Sequence, residues 1–264
     1  MQMKSAMECF DELVTLLQSR KPALFLDYDG TLTPIVQDPA DAFLPERAKR
    51  LLNEAKRRFP VSIISGRDLD DLMGRVGIEG IAYAGSHGLE IVFINGERKQ
   101  LVDELDKCLC ELEAAEIELR RLTKSFRGAI VERKRFGVAL HYRAVAADQI
   151  SDLVKLFEEI ASRHPYLKRS EGKRVVELSG TGADKGTAIS EIMKHEGITD
   201  ETHLPIFIGD DLTDEDGFKT LKGRGIGVIV GYEPKLTEAE YYLSNQEEVL
   251  EFLEKLVNSV QVND

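Results

Sequence analysis

Two apolar runs of the chain end in dense groups of carboxylates. Residues 25–31 read FLDYDGT, and residues 205–216 read PIFIGDDLTDED. Carboxylates repel one another at close range, so such groups are costly unless a cation or a chemical task holds them together. The two groups therefore predict one cation site, provided that the fold brings them together.

The first group contains Asp27 and Asp29. Residues two apart in an extended chain point to the same side, so we expect both carboxylates to face one pocket just past the run ALFL. Gly30 would permit a sharp turn there. The simpler alternative is that Asp-Gly is only a turn dipeptide after a strand.

The second group contains Asp210 and Asp211, followed by an acidic helix start in which we expect Asp214 to act as the cap. A helix start alone leaves Asp210 and Asp211 unexplained. Carboxylates of both groups around one ion suit Mg²⁺, which needs few protein ligands and keeps waters for a substrate phosphate. An EF-hand is excluded because Leu212 occupies the third ligand position.

Two further positions could hold a phosphate. Ser65 ends the run VSIIS and is followed by Gly66 and Arg67, whose neighbouring N–H groups could bind phosphate oxygens. Lys185 opens a helix, where a cation can neutralise both a carboxylate and a phosphoryl group. The simpler alternatives are a helix cap for Ser65 and a solvated surface position for Lys185. The segment GTGADKGT fits neither a P-loop nor a dinucleotide fingerprint.

The elements that must position these residues alternate along the chain. Short apolar runs predict buried strands at ALFLDY, VSIIS, IAYAGS, PIFIG and GVIVG. Helical patterns lie between most of them, and apolar residues at 10, 13, 16 and 17 predict one more amphipathic helix. This alternation is typical of an α/β fold with a doubly wound, mostly parallel sheet, in which ligands bind at the carboxyl ends of the strands.

The middle of the chain has a different order. A charged helix over residues 103–123 precedes the strands GAIVERK and GVALHYR, and a second helix precedes the strands YLKRS and RVVELS. This αββαββ order predicts an inserted α+β domain at residues 103–180. Residues 1–102 and 181–264 would form the two parts of the core domain.

The quoted segments resemble a known superfamily. DYDGT, Ser65, Lys185 and GDDLTDED stand in the order of the four motifs of haloacid-dehalogenase-like phosphatases, and the insertion resembles their larger cap. More narrowly, the chain resembles the trehalose-6-phosphate phosphatases. The resemblance rests on FLDYDGTLTPI, ISGR, AGSHGLE, ALHYR, GKRVVEL, DKG and GDDLTDED, from residue 25 to about residue 231.

The resemblance implies roles in hydrolysis of trehalose 6-phosphate. Asp27 would be the nucleophile that becomes an aspartyl phosphate, and Asp29 would act as general acid and then as general base. Ser65 and Lys185 would hold the phosphoryl oxygens. Asp27, the backbone carbonyl of Asp29 and Asp210 would bind Mg²⁺.

Other residues enter through the same resemblance. Asp211 and Asp214 would support the magnesium site indirectly or through water. The residues expected at the substrate are Gly66, Arg67, His87, His141, Arg143, Lys173 and Glu177. His141 and Arg143 would share one side of a strand, and Lys173 and Glu177 resemble the family's sugar-contacting pair. The simpler alternative for the cap residues is an exposed sheet face, and His87 could equally just order its loop.

Composition limits the other classes of function. The formal net charge of −12 disfavours a nucleic-acid partner and requires local positive charge or a metal wherever a phosphate binds. Cys9, Cys108 and Cys110 fit neither disulfides nor a zinc site, which predicts a cytoplasmic protein, and we expect the last two to pack in a helix. No run reaches transmembrane length, so we expect no membrane partner. We also expect the protein to be a monomer.

Several alternatives to the main hypothesis stay open. The substrate could be another glycosyl phosphate, such as sucrose phosphate or glucosylglycerol phosphate, and a phosphomutase would use the same first step. A non-catalytic sugar-phosphate sensor or regulatory subunit belongs to a different class. The presence of both Asp27 and Asp29 argues against that class.

Overall fold

The structure is a computed structural model that describes residues 3–17, 19–36, 41–172, 174–231 and 237–260. The chain forms two compact units. The first combines Met1–Lys99 with Asp184–Asp264, and the second is Gln100–Ala183. The interpretation of the second unit as a substrate cap stays a prediction.

Strands and helices alternate along most of the described residues. The strands are β1 (Lys4–Ser5), β2 (Lys21–Leu26), β3 (Val61–Ile64), β4 (Ala82–Gly85), β5 (Glu90–Val92), β6 (Arg98–Gln100), β7 (Ile130–Lys134), β8 (Gly137–His141), β9 (Leu167–Gly172), β10 (Val175–Gly180), β11 (His203–Gly209), β12 (Ile226–Val230) and β13 (Tyr241–Leu243). The helices are α1 (Phe10–Leu16), α2 (Glu46–Ala55), α3 (Leu69–Val76), α4 (Leu105–Leu122), α5 (Ile150–Ala161), α6 (Lys185–His195), α7 (Glu215–Leu221) and α8 (Gln246–Ser259).

The first unit is built on a sheet whose described strands follow the order β1-β13-β12-β11-β2-β3-β4-β5-β6. The pairs from β1 through β4 are parallel, and β5 runs antiparallel to β4. At the centre, β2 pairs with β11 so that Leu26 lies opposite Ile208. Helices cover both faces of such a sheet, which is why its central strands read as continuous apolar runs. The predicted α/β fold is confirmed.

Residues of the central strands β2 and β11 pack against helices on the two faces of the sheet. Leu24 and Leu26 belong to a buried cluster that also contains residues of α1, α2, α3 and α8. On β11, Phe207 points to the other face, where its ring lies 5.2 Å from the ring of Phe218 on α7. The sheet is therefore doubly wound, and its carboxyl edge is left for the loops that carry the polar residues.

The second unit has the αββαββ order and a four-stranded antiparallel sheet in the order β7-β8-β10-β9. One face of this sheet packs with α4 and α5 in a buried apolar cluster; its sheet members include Val138, Leu140, Val176 and Leu178. The alternating residues of the same strands point to the opposite face. That second face carries charged residues, including Glu132, Lys134 and Glu177.

Three local expectations need correction. On the N-terminal helix, Leu16 is 45% exposed, because the buried face of α1 is formed by Phe10 and Leu13. Cys108 is buried but Cys110 is exposed, since two positions along a helix lead to another face. Strand β8 ends at His141, so Arg143 lies beyond the strand.

None of the helices among the described residues combines the length and the apolar character needed to cross a bilayer.

Candidate active site

The carboxyl ends of three neighbouring parallel strands carry the polar residues. Asp27 follows β2, Ser65 follows β3 and Asp210 follows β11. The amide of Asp27 donates to the carbonyl of Ile208 at 2.9 Å, and the amide of Ser65 donates to the carbonyl of Ala84 at 2.9 Å. These backbone bonds extend the sheet pairing by one residue and fix each side chain at the edge where such sheets bind ligands.

Three carboxylates meet at this edge. Asp27, Asp210 and Asp214 are buried, and each offers an oxygen that lies within 4.8 Å of the oxygens of the other two. Gly30 makes room for them, because a Cβ at this position would lie 2.2 Å from Oδ2 of Asp210. Its φ of +93° also favours glycine. We call Asp27, Asp210, Asp214 and Lys185 the carboxylate cluster.

Lys185 supplies the positive charge of the cluster. Its Nζ lies 2.7 Å from Oδ1 of Asp27 and 2.6 Å from Oδ1 of Asp214, and the residue is only 2% exposed. Helix α6 starts at Lys185 because Asp184 caps it, accepting from the amide of Thr187 at 2.8 Å. The alternative of a solvated lysine is therefore wrong.

Burial and neighbouring charges shift the pKa values within the cluster. Burial raises the pKa of Asp27; Lys185 lowers it, Asp214 and Asp210 raise it, and the pKa lies well above its usual value. Burial disfavours the charged form of Lys185, but Asp214 and Asp27 outweigh it and hold the lysine pKa above its usual value. Three carboxylates so close together offer the hard oxygen donors that a divalent cation prefers.

Asp214 was expected to cap the helix and Asp211 to lie near the ion, but the structure shows the reverse arrangement. Oδ2 of Asp214 accepts from the amides of Asp210 and Asp211 at 3.0 and 2.9 Å, and the side chain does not cap α7. Asp211 is the cap instead, because its Oδ1 accepts from the amide of Leu212 at 2.6 Å and starts a short 3₁₀ turn. The expectation that Asp214 caps the helix is wrong, and Asp211 lies outside the carboxylate cluster.

Asp29 is held separately from the cluster. Its Oδ2 and Oδ1 accept from Nε and Nη2 of Arg67 at 2.6 and 2.7 Å. Strand β2 ends at Leu26, so the strict alternation expected for Asp27 and Asp29 does not continue through them. Arg67 was expected at the substrate, and its contact with Asp29 is a pairing that the sequence did not indicate.

The loop after β3 surrounds Ser65. Ser65 is 1% exposed, and its Oγ accepts from the amide of Arg67 at 3.2 Å. Helix α3 starts only after Asp68, so Ser65 is not its cap. His87 donates its amide to the carbonyl of Ser65 at 2.9 Å, and its ring lies 2.5 Å from where a Cβ of Gly66 would be. His87 therefore lies against the loop that carries Ser65, and its contact with substrate stays a prediction.

The second unit gathers another polar group on its open sheet face. Nζ of Lys134 lies 2.6 Å from Oε2 of Glu177, which is 7% exposed, and Nε2 of His141 lies 2.7 Å from Oε2 of Glu132. A Cβ at Gly137 would lie 2.5 Å from Oε1 of Glu177. We call Glu132, Lys134, His141 and Glu177 the polar sheet face.

The sequence indicated only part of the polar sheet face. Glu132 and Lys134 were missed, although pairing GAIVERK with GVALHYR places both on the same face as His141. Arg143 is exposed and lies beyond the end of β8. Lys173 lies outside the described residues.

A doubly wound sheet with buried carboxylates and a lysine at its carboxyl edge is typical of the haloacid-dehalogenase-like phosphoric monoester hydrolases, the class of the relatives that follow. The model of the trehalose-phosphatase family matches residues 25–247. The chain belongs to the trehalose-phosphatase family.

Individual relatives support this assignment. The chain is 35% identical to probable trehalose-phosphate phosphatase H of Arabidopsis thaliana, over 98% of this chain and 78% of that protein. It is 37% identical to a trehalose-phosphate phosphatase of Mycobacterium bovis, over 93% of this chain and 63% of that protein. Among solved structures, the C-terminal domain of C. albicans trehalose-6-phosphate phosphatase is similar with a TM-score of 0.85 and 27% identity, covering 98% of this chain and 100% of that one.

Proposed function

We propose that this chain hydrolyses trehalose 6-phosphate to trehalose and inorganic phosphate through a phosphoryl group held on Asp27, with Mg²⁺ as cofactor. One observation carries the proposal. The buried carboxylate of Asp27 ends the central strand, bonded to Lys185 and grouped with Asp210 and Asp214. The membership in the trehalose-phosphatase family supports the substrate.

In the first step, an oxygen of Asp27 attacks phosphorus and forms an aspartyl phosphate. The bond between phosphorus and the sugar oxygen breaks, and its electron pair stays on that oxygen. A sugar alkoxide is a poor leaving group, so a proton from Asp29 makes this step easier. Asp27 and Asp29 follow the same strand, which places both groups at one edge of the sheet.

In the second step, water attacks the phosphorus of the aspartyl phosphate. Asp29, which lost its proton in the first step, takes one from this water. The bond between phosphorus and the oxygen of Asp27 breaks, so inorganic phosphate leaves and the Asp27 carboxylate is restored. Splitting one hard transfer into two easier steps is the advantage of a carboxylate nucleophile.

Asp27, Asp210 and the backbone carbonyl of Asp29 would hold Mg²⁺. When bound, the ion offsets the repulsion between the carboxylates and the incoming phosphate and stabilises the charge of the transferring group. Asp214 has a separate task in this proposal. It fixes Lys185 through one oxygen and the backbone of Asp210 through the other.

The phosphate needs local positive charge because the whole chain carries a formal net charge of −12. Lys185 would supply it directly. The hydroxyl of Ser65 and the backbone of Gly66 would hold further phosphoryl oxygens. His87 would keep this loop in place through its bond to the carbonyl of Ser65.

The polar sheet face would recognise the sugar. Glu177 and Lys134 are ordered against each other before any ligand binds, as are Glu132 and His141. Buried polar groups that bind sugar hydroxyls discriminate strongly, because a wrong sugar leaves them unpaired. Arg143 and Lys173 remain substrate contacts in this proposal, as does Arg67. The three cysteines support action in the cytoplasm, and we propose a monomer.

The substrate is tested by measuring kcat/KM for phosphate release, with and without Mg²⁺, from a panel of sugar phosphates. The panel contains trehalose 6-phosphate, sucrose phosphate, glucosylglycerol phosphate and glucose 6-phosphate. We expect trehalose 6-phosphate to have the highest kcat/KM and to require the metal. An equal or higher value for another sugar phosphate would overturn the substrate assignment but leave the phosphatase chemistry in place.

A further inference from the structure

Asp29 is oriented by a double contact. Its two oxygens accept from Nε and Nη2 of Arg67 at 2.6 and 2.7 Å, and this geometry fixes the plane of the carboxylate as well as its position. The Asp29 side chain is 39% exposed, so packing alone does not hold it. An ionised carboxylate offers about four lone-pair positions, and the guanidinium takes two, so a position remains for the proton that Asp29 passes to the sugar oxygen.

Two further contacts hold the guanidinium of Arg67 in place. Its Nη1 donates to Oδ2 of Asp71 at 3.2 Å, and its guanidinium carbon lies 5.5 Å from the centre of the Tyr28 ring. Both oxygens of Asp71 also accept from Nε of Arg75, at 2.9 and 2.8 Å. The Arg67 side chain is only 11% exposed, so the guanidinium is fixed by these contacts and not by solvent.

The contacts close into a ring around Tyr28. Nη1 of Arg75 donates to the carbonyl of Ala42 at 3.2 Å, and the hydroxyl of Tyr28 donates to the same carbonyl at 3.0 Å. Tyr28 stands between Asp27 and Asp29 in the chain and is fully buried. We call Arg75, Asp71 and Arg67 the row. It starts at the carbonyl of Ala42, which also binds Tyr28, and it ends at the carboxylate of Asp29.

We propose that Asp71 is a positioning residue for the acid–base work of Asp29 and acts through Arg67. The inference rests on the proposed function, because it takes Asp29 as the group that protonates the leaving oxygen. Asp71 is a side chain of helix α3, and none of its contacts described above is with the carboxylate cluster. It fixes the guanidinium that fixes the carboxylate, so its loss lets Asp29 rotate away from the reacting oxygen.

The charges along the row support a permanent arrangement. Burial would raise the pKa of Asp71, but Arg75 and Arg67 outweigh it and hold this pKa below its usual value. Burial also opposes the charge of Arg67, but Asp29 and Asp71 outweigh that effect and raise the arginine pKa. Opposite charges thus keep Asp71 and Arg67 ionised and in contact.

The test is kcat and KM for the preferred sugar phosphate in Asp71→Asn and in Asp70→Asn. Asp70 is the matched control, because it is the preceding residue of α3 and its Oδ1 accepts from Arg98 at 2.9 Å instead. We expect Asp71→Asn to lower kcat about tenfold or more, since a small misplacement of a catalytic group is costly. The fall in kcat should exceed any rise in KM, because Asp71 itself is not proposed to touch substrate, and Asp70→Asn should match the wild type.

Two further variants separate positioning from a general loss of structure. Asp71→Glu keeps a carboxylate for both arginines and should recover part of kcat. In an Asp29→Asn background, Asp71→Asn should have little further effect, because a residue that acts through Asp29 has nothing left to position. Unchanged or higher kcat in Asp71→Asn, or a full further loss in the double variant, would overturn the inference. A wild type that releases no phosphate, or an Asp29→Asn variant with full activity, would instead overturn the proposed function.

Discussion

The carboxylate cluster and the polar sheet face both combine acidic side chains with a lysine, but they differ in arrangement. In the cluster, Asp27, Asp210 and Asp214 are buried close together, and Lys185 contacts two of them. On the polar sheet face, Glu177 lies against Lys134 and Glu132 lies against His141. One group crowds three carboxylates together, and the other sets each acid beside a basic group.

The difference separates chemistry from recognition. Crowded buried carboxylates are costly unless a cation joins them, so we expect the cluster to bind an ion. Paired groups cost less to bury and present ordered donors and acceptors to neutral hydroxyls. We therefore expect changes in the cluster to alter kcat and metal dependence, and changes on the polar sheet face to alter KM.

The largest effect is expected from Asp27→Asn. The amide is close in size to the carboxylate but cannot attack phosphorus, so kcat should fall by about 10⁴-fold or more. Phosphate release at saturating substrate measures this change. A thermal melt within a few degrees of the wild type shows that the fold is intact, and retained activity in a folded variant would mean that another group is the nucleophile.

Metal removal is the next largest effect and needs no mutation. Chelation should abolish phosphate release, and added Mg²⁺ should restore it. Independently of activity, Mg²⁺ should stabilise the folded chain by about 2.7 kcal/mol at a concentration one hundred times its Kd, because only the folded cluster binds it. Thermal melts with increasing Mg²⁺ measure this stabilisation.

A matched pair of variants places the ion in the cluster. Asp210→Asn should lose the stabilisation by Mg²⁺, whereas Glu132→Gln on the polar sheet face should keep it. Equal stabilisation in both variants, or none in the wild type, would contradict the metal site. Asp210→Asn should also need more Mg²⁺ for half-maximal activity.

Two glycines allow a closer comparison. A Cβ at Gly30 would lie 2.2 Å from Oδ2 of Asp210, and one at Gly137 would lie 2.5 Å from Oε1 of Glu177. Gly30→Ala also forces a residue with a Cβ into a φ of +93°. We expect Gly30→Ala to lower kcat by about 100-fold, because it displaces a cluster carboxylate. Gly137→Ala should mainly raise KM, since it displaces only the end of a flexible side chain.

Steady-state kinetics on both alanine variants measures this difference. A drop in kcat for Gly137→Ala as large as that for Gly30→Ala would remove the distinction between the two regions. Melts should show a larger loss of stability for Gly30→Ala than for Gly137→Ala, because only the former position has a positive φ.

The smallest effect is expected from Glu177→Gln. The change keeps the shape but weakens the contact with Lys134 and any bond to a sugar hydroxyl. A weakened hydrogen bond of about 1 kcal/mol corresponds to a KM roughly 5-fold higher, with kcat nearly unchanged. The increase should be specific for the disaccharide phosphate, so glucose 6-phosphate serves as the control substrate. A fall in kcat without a change in KM would contradict a recognition role.

Much of the fold could be predicted because local patterns carry it. Strands β2 and β11 are buried on both faces and therefore read as uninterrupted apolar runs that stop at polar residues. The same stops placed Asp27 and Asp210 at one edge of the sheet. The strands of the second unit could be predicted from alternating apolar and polar residues, because only one face of their sheet packs with helices.

The pairings within each site could not be predicted in the same way. Arg67 contacts Asp29 from 38 positions away, and Lys134 contacts Glu177 from 43 positions away. Such contacts depend on how strands are ordered in space and leave no local pattern. Asp211 and Asp214 were confused for another reason. Both stand at the start of a helix, but Asp214 turns toward Lys185 whereas Asp211 accepts from the amide of Leu212.

The central claim is that the carboxylate of Asp27 carries the phosphoryl group. The direct measurement is a rapid quench of the enzyme during turnover of the preferred sugar phosphate, followed by borohydride reduction and tandem mass spectrometry. Reduction converts an aspartyl phosphate to homoserine, so the account predicts homoserine at position 27 in the wild type and none in Asp27→Asn. An active wild type with an unmodified Asp27, or with homoserine at position 210 or 214 instead, would contradict it.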